Sequence, residues 1–193
     1  MSSAGPSGRT SYAPAALAAL RDVVQPHWKG APLGAPTSLQ AFAAGGLEAL
    51  GGALPLPLLL LRENALAHNV ARMARFATEQ GVLLAPHAKT TMSPELIARQ
   101  LDAGCWAVTA ATPSHVETLR RLGVGRIVLA NELVEPGAIR WLARELSDDP
   151  AFELLCLVDS RQGVALLDRE LRAGGAPRPV SVLLEVGTPD GRA

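Results

Sequence analysis

The feature that most constrains this chain is a regular alternation that begins near residue 53 and continues to the end of the sequence. Short runs that are almost wholly apolar, at 82–85, 105–111, 126–130, 152–158 and 180–186, alternate with amphipathic stretches. Runs apolar at both parities are buried on both faces. Joined by helices, they read as parallel strands. The strand repeat is roughly 20–28 residues, the pitch of βα units in an eight-fold barrel. An open doubly wound sheet is the alternative. No Gly-x-Gly-x-x-Gly follows an early strand, so its dinucleotide-binding form loses support. The expected fold class is therefore α/β: a partial (β/α)8 TIM-type barrel, truncated after about five barrel strands, where a closed barrel needs eight and usually ~250 residues.

Local signals set the helices between these runs. Glu63–Gln80 carries Leu66, Val70, Met73 and Ala77 on one face, and Gly81 stops it. Ser93 is placed as an N-cap with Pro94 in the first turn, and Gly104 closes that helix. Thr112-Pro113 caps a helix that ends near Gly123. Glu135-Pro136 starts one that ends near Ser147. Asp159 with Gln162 reads as a capping box for a helix running to about Arg172. Residues 1–52, rich in Ala, Gly, Pro and Ser, form a leader with a short helix expected at 14–24. Residues 53–193 form the N-terminal part of the barrel, preceded by a strand expected at 55–61.

Composition excludes several function classes. The 193 residues carry 18 basic and 18 acidic side chains, so no electrostatic pull toward nucleic acid or an anionic membrane exists. Aromatic residues make up 4%, which also argues against base stacking. No stretch reaches the length of a membrane-spanning helix, and Met1–Thr10 lacks the regions of a signal peptide. A cytoplasmic location is expected. Cys105 and Cys156 both fall in apolar runs and read as buried free thiols. With four histidines they show no zinc-ligand spacing.

The chemistry concentrates in Ala85-Pro86-His87-Ala88-Lys89-Thr90-Thr91-Met92, directly after an apolar run. A lysine at the mouth of a buried strand is placed to become an imine-forming amine once desolvation or a neighbouring cation frees its lone pair. The same residue can also simply snorkel to water. Alternate residues of an extended segment point the same way, so His87 and Lys89 are expected to face the barrel interior together. Asn131 and Glu132 follow a strand on the side where barrel active sites gather, or serve only to begin the next helix. His27, His68 and His115 read as surface or packing groups, and Trp106 as a packing residue.

The run 84–96, followed by Arg99-Gln100-Leu101-Asp102-Ala103-Gly104-Cys105-Trp106-Ala107-Val108-Thr109-Ala110-Ala111-Thr112, resembles a known family. It is similar to the pyridoxal 5'-phosphate (PLP) amino-acid deaminases related to D-serine dehydratase and D-threonine aldolase. Their barrel is that of the alanine racemase N-terminal domain, fold type III. The resemblance covers residues 53–193 and extends to His27-Trp28-Lys29-Gly30. It implies that Lys89 forms the Schiff base with PLP. His87 is then placed to hydrogen-bond the cofactor or set the lysine's protonation, or merely caps backbone groups at the strand end, and Thr90 either hydrogen-bonds near the cofactor or simply packs. The resemblance assigns Arg192 a place near the cofactor ring, where a solvent-exposed loop arginine is the plain alternative. It also implies that run 55–61 belongs with a C-terminal β-domain.

The implied activity is PLP-dependent deamination, by β-elimination, of a small, D-configured hydroxy amino acid. The alternative is a non-catalytic PLP carrier barrel. Related dehydratases activate the leaving group with zinc, whose ligands would then lie outside this chain. A homodimer is the expected assembly of the full-length protein, and this piece alone is expected to be inactive. Much of the aldolase and dehydratase branch reads Arg-Pro-His-x-Lys-Thr-His. Here Ala85 replaces the arginine and Thr91 the second histidine, which favours the deaminase branch.

Overall fold

A computed structural model describes residues 23–31 and 34–187. The expected helix at 14–24 begins outside them, and its last two residues instead form strand β1, Val23–Val24, paired antiparallel with β2, Thr37–Ser38. Ser38 then caps the short helix α1, Leu39–Ala44, its hydroxyl accepting from the Ala41 N–H at 3.0 Å.

The strand expected at 55–61 does not form. The stretch is irregular, with Leu59 92% and Leu61 65% exposed. Pro55 and Pro57 remove two ladder donors within three residues, and among the described residues no strand pairs with it. Helix α2 follows, Glu63–Gln80, with the predicted bounds. It ends at Gly81, whose φ of +62° favours glycine.

From Met73 onward the chain forms a compact unit of its own. Helix α3 (Pro94–Asp102), β3 (Val108–Ala110), α4 (Pro113–Arg121), β4 (Arg126–Glu132), α5 (Pro136–Asp148), β5 (Glu153–Val158), α6 (Arg161–Ala173) and β6 (Ser181–Leu184) alternate in sequence. The sheet is parallel and its order is sequential, β3-β4-β5-β6. The expected run 82–85 is not a regular strand. It extends beside β3 through one parallel bridge, His87 to Thr109, because Pro86 lacks an N–H and the ladder is irregular below it. Five strand positions are thus occupied.

Register shows where the core lies. Val108, Ile127 and Leu154 are ladder partners, as are Ala110, Leu129 and Cys156, and all six are buried. They join Leu101, Leu119, Ile139, Leu142 and Leu171 of the helices in one cluster. The opposite parity, Val128, Leu155 and Leu157, is only partly covered. A sequential parallel sheet with its helices packed on one face is a partial (β/α)8 barrel rather than a doubly wound sheet, which needs a reversal of strand order and helices on both faces.

The caps match the sequence except at α6. Ser93, Thr112 and Ser160 each accept from a backbone N–H in the first turn, of Leu96, His115 and Gly163. Ser160, not the expected Asp159–Gln162 pair, caps α6: it stands one residue nearer the helix, within 3.1 Å of the Gly163 N–H. Glu135 precedes α5 without a side-chain cap bond. No helix among the described residues is long and apolar enough to cross a membrane.

Candidate active site

The carboxyl ends of the parallel strands share one edge of the unit. There the chain leaves the extended run at Ala88, whose carbonyl accepts from both the Thr91 N–H (3.2 Å) and the Met92 N–H (2.8 Å). Lys89 and Thr90 occupy the resulting turn, which closes at Met92 with a φ of +46°, rare for a non-glycine residue. Ser93 begins α3 immediately afterwards.

Ala88 is 3% exposed and belongs to the core cluster, whereas His87 and Lys89 on either side of it are exposed. Alternation puts His87 on the side away from the helices, and Lys89 is exposed in the turn that follows, beyond the reach of strand alternation. His87 extends across the sheet as one row of register partners: Thr109, Val128, Leu155 and Ser181. His87, Lys89 and Thr90 are all exposed at this edge. Arg192 lies outside the described residues.

Thr109 stands in the run that carries the resemblance, which assigns it no role, and it is the buried polar residue of this row. Its hydroxyl donates to the Ala85 carbonyl at 2.7 Å. The available signal was a hydroxyl residue in an otherwise apolar run, Ala107-Val108-Thr109-Ala110. Asn131 turns inward on the chain, its Oδ1 accepting from the Glu132 N–H at 3.1 Å. Glu132, Leu157, Asp159, Ser160 and Gln162 line a pocket of about 270 Å³ where β4 and β5 end.

At the amino ends of β4 and β5 stands an ion pair. Arg126 and Glu153 are ladder partners, and the Arg126 guanidinium also lies 5.0 Å from the Trp106 ring, so Trp106 packs as expected. The Arg126 hydrogen bond holds the Glu153 carboxyl below its ordinary range. Cys105 and Cys156 are free and buried, and burial raises both thiols, Cys156 to about 11. His27 and His68 are exposed. His115 is half-buried, with its Nδ1 atom buried and unbonded. Among the described residues no three of His, Cys, Asp and Glu gather as a metal-holding group.

No family model matches the chain. The chain is 29% identical over 123 residues to a D-threo-3-hydroxyaspartate dehydratase of Delftia sp. (strain HT23), covering 61% of this chain and 31% of that protein. It is 29% identical over 132 residues to a 3-hydroxy-D-aspartate aldolase of Paracoccus denitrificans, covering 68% and 34%. The structure resembles that of a D-threonine aldolase from Filomicrobium marinum, with a TM-score of 0.63 and 27% identity over 72% of this chain and 37% of that one. These likenesses bear out the resemblance to the D-serine dehydratase and D-threonine aldolase group. The chain spans about a third of the length of the curated relatives it matches.

Proposed function

We propose that this chain carries Lys89 as the cofactor lysine of a PLP-dependent lyase that deaminates a small, D-configured hydroxy amino acid. One observation carries the reading. Lys89 stands on a turn at the carboxyl end of the first strand position, flanking a core residue and directed away from the core. Composition adds weight: Lys29 and Lys89 are the two lysines of the chain, and arginine supplies its other fixed cations. A guanidinium cannot replace a primary amine in this chemistry.

The donor set fits PLP, an aldehyde that needs an amine. When bound, that group supplies an electron sink for charge developing at the substrate α-carbon. Lys89 Nζ would hold the aldehyde, and the same amine, once free, would take up the substrate α-proton as general base. His87, two residues earlier, is assigned to orient the cofactor and set the protonation of Nζ. Thr90 in the turn, and Arg192, are assigned to hydrogen-bond the cofactor. Ala85 and Thr91, where much of the aldolase and dehydratase branch reads Arg and His, support the deaminase branch.

Borohydride reduction after incubation with PLP makes a lysine–aldehyde link permanent, and peptide mapping then locates it. The expected result is label on Lys89, lost in Lys89→Ala, with Lys29 as an internal control. Equal labelling of Lys29 and Lys89 overturns the reading. In the full-length protein, release of ammonia and keto acid from D-serine, absent with the Lys89→Ala variant, separates a lyase from a carrier.

A further inference from the structure

We infer that Thr109 is the positioning residue for Lys89, an inference that rests on the reading of Lys89 as the cofactor lysine. Residues 85–88 lack a regular ladder. Pro86 has no N–H, and the stretch makes a single parallel bridge. Thr109 nevertheless makes three hydrogen bonds to it. The Thr109 N–H donates to the Pro86 carbonyl at 2.8 Å, and the Thr109 carbonyl accepts from the Ala88 N–H at 2.9 Å. The hydroxyl donates to the Ala85 carbonyl at 2.7 Å.

That third bond answers an irregularity. The next contact down the ladder is from the Trp106 N–H to the Leu84 carbonyl at 2.9 Å. From there to Thr109 the chain advances three residues on one side and, from Leu84 to Pro86, two on the other. Between the two ladder acceptors, Leu84 and Pro86, the Ala85 carbonyl has no backbone donor from β3, and in this irregular stretch the Thr109 hydroxyl meets it. Thr109 is 6% exposed, so water does not compete for this donor.

Beyond Ala88 the turn bonds fix the other side of the same residue. Lys89 therefore departs from a backbone held before it by Thr109 and after it by the Ala88–Met92 turn. A reactive amine on a four-carbon stem is only as well placed as its Cα, and catalytic groups tolerate about 0.5 Å of misplacement. Valine at 109 keeps the shape of threonine but leaves the Ala85 carbonyl without this donor, so two of the three bonds between Thr109 and residues 85–88 remain.

The test compares Thr109→Val and Thr109→Ser with the natural protein in two measurements: borohydride labelling of Lys89 across a PLP series, and amide hydrogen exchange at Ala88. In Thr109→Val the half-saturating PLP and the Ala88 exchange rate are both expected to rise about tenfold, the worth of one buried hydrogen bond. Far-UV circular dichroism stays unchanged. Thr109→Ser keeps the donor and is expected to match the natural protein in both. Thr109→Ala serves as a second donorless variant should the valine variant not fold. Unchanged labelling and exchange in the donorless variants overturn the inference, as does a serine variant that fails like them, which would assign the effect to the lost methyl. If the natural protein takes no label at Lys89, the functional reading fails, while exchange at Ala88 still decides whether Thr109 holds the stretch.

Discussion

Arg126 and Glu153 are ladder partners on adjacent parallel strands, joined by two hydrogen bonds: Nε to Oε2 at 2.6 Å and Nη2 to Oε1 at 3.0 Å. The geometry is bidentate, with a third contact from Nη1 to the Trp106 carbonyl at 3.2 Å. The two partners differ in exposure. The Arg126 side chain is 9% exposed and the Glu153 side chain 45%. Glu153 loses little hydration, whereas Arg126 depends on the pair.

That asymmetry gives the first prediction. Glu153→Gln is expected to lower stability at neutral pH by about 1 kcal/mol, the upper range for an exposed pair. Because the native carboxyl titrates below its ordinary value, its contribution is present above the unfolded pKa. It is lost as pH falls through the lower native value. The natural protein and Glu153→Gln should therefore converge in urea midpoint on acidification. A gap that stays constant down to the acid limb would show that the pair contributes through shape alone.

Ser160 gives the second. Its hydroxyl accepts from the Gly163 N–H at the start of α6, so Ser160→Ala is expected to cost about 1 kcal/mol. Asp159→Ala is expected to leave the denaturation midpoint near that of the natural protein. Equal losses in the two variants would return the cap to Asp159.

These two sites show what was legible in the sequence. The order of helices and parallel strands could be read because each element repeats its own period, as Glu63–Gln80 does to the residue. Apolar content alone misled at 55–61, where two prolines withhold the donors that a ladder requires. The α6 cap was misplaced by one residue because Asp159 and Ser160 are both competent acceptors, and only the backbone path decides between them. His87 and Lys89 were found from their motif. Thr109 was not, because its importance lies in its register with His87, and register between strands is absent from a linear sequence.

Helix packing supplies the third prediction. A Cβ built on Gly174 would stand 2.7 Å from the Cβ of Ala143 on α5 and 3.4 Å from the Arg140 Cα. Ala143 is fully buried, and neither contact is the end of a flexible side chain. Gly174→Ala is expected to separate α5 from α6 at a cost of about 1–3 kcal/mol. Gly137, in the first turn of α5, has open space around the same position. Gly137→Ala is expected to stabilise by about 0.4–1 kcal/mol through the unfolded chain. Thermal unfolding of the two variants reads both signs, and a shift of the same sign in both would contradict the packing.

The last prediction concerns the two thiols. Cys156 is fully buried between sheet and helices, and burial pushes its pKa up to about 11. Cys105 is shifted in the same direction. Because thiolate is the reactive form, neither thiol should react with an aromatic disulfide reagent at pH 8 in the native state, and both should react after unfolding in guanidinium. The linkage is opposite in sign to that of Glu153. The protonated thiol is favoured in the folded chain, so its contribution is fully present below the unfolded pKa. It declines as pH rises through the native value of about 11. Cys156→Ala removes this alkaline slope but leaves a cavity, so it should be less stable at neutral pH and less sensitive to pH above 9. An alkaline slope as steep in Cys156→Ala as in the natural protein would assign the loss to other groups.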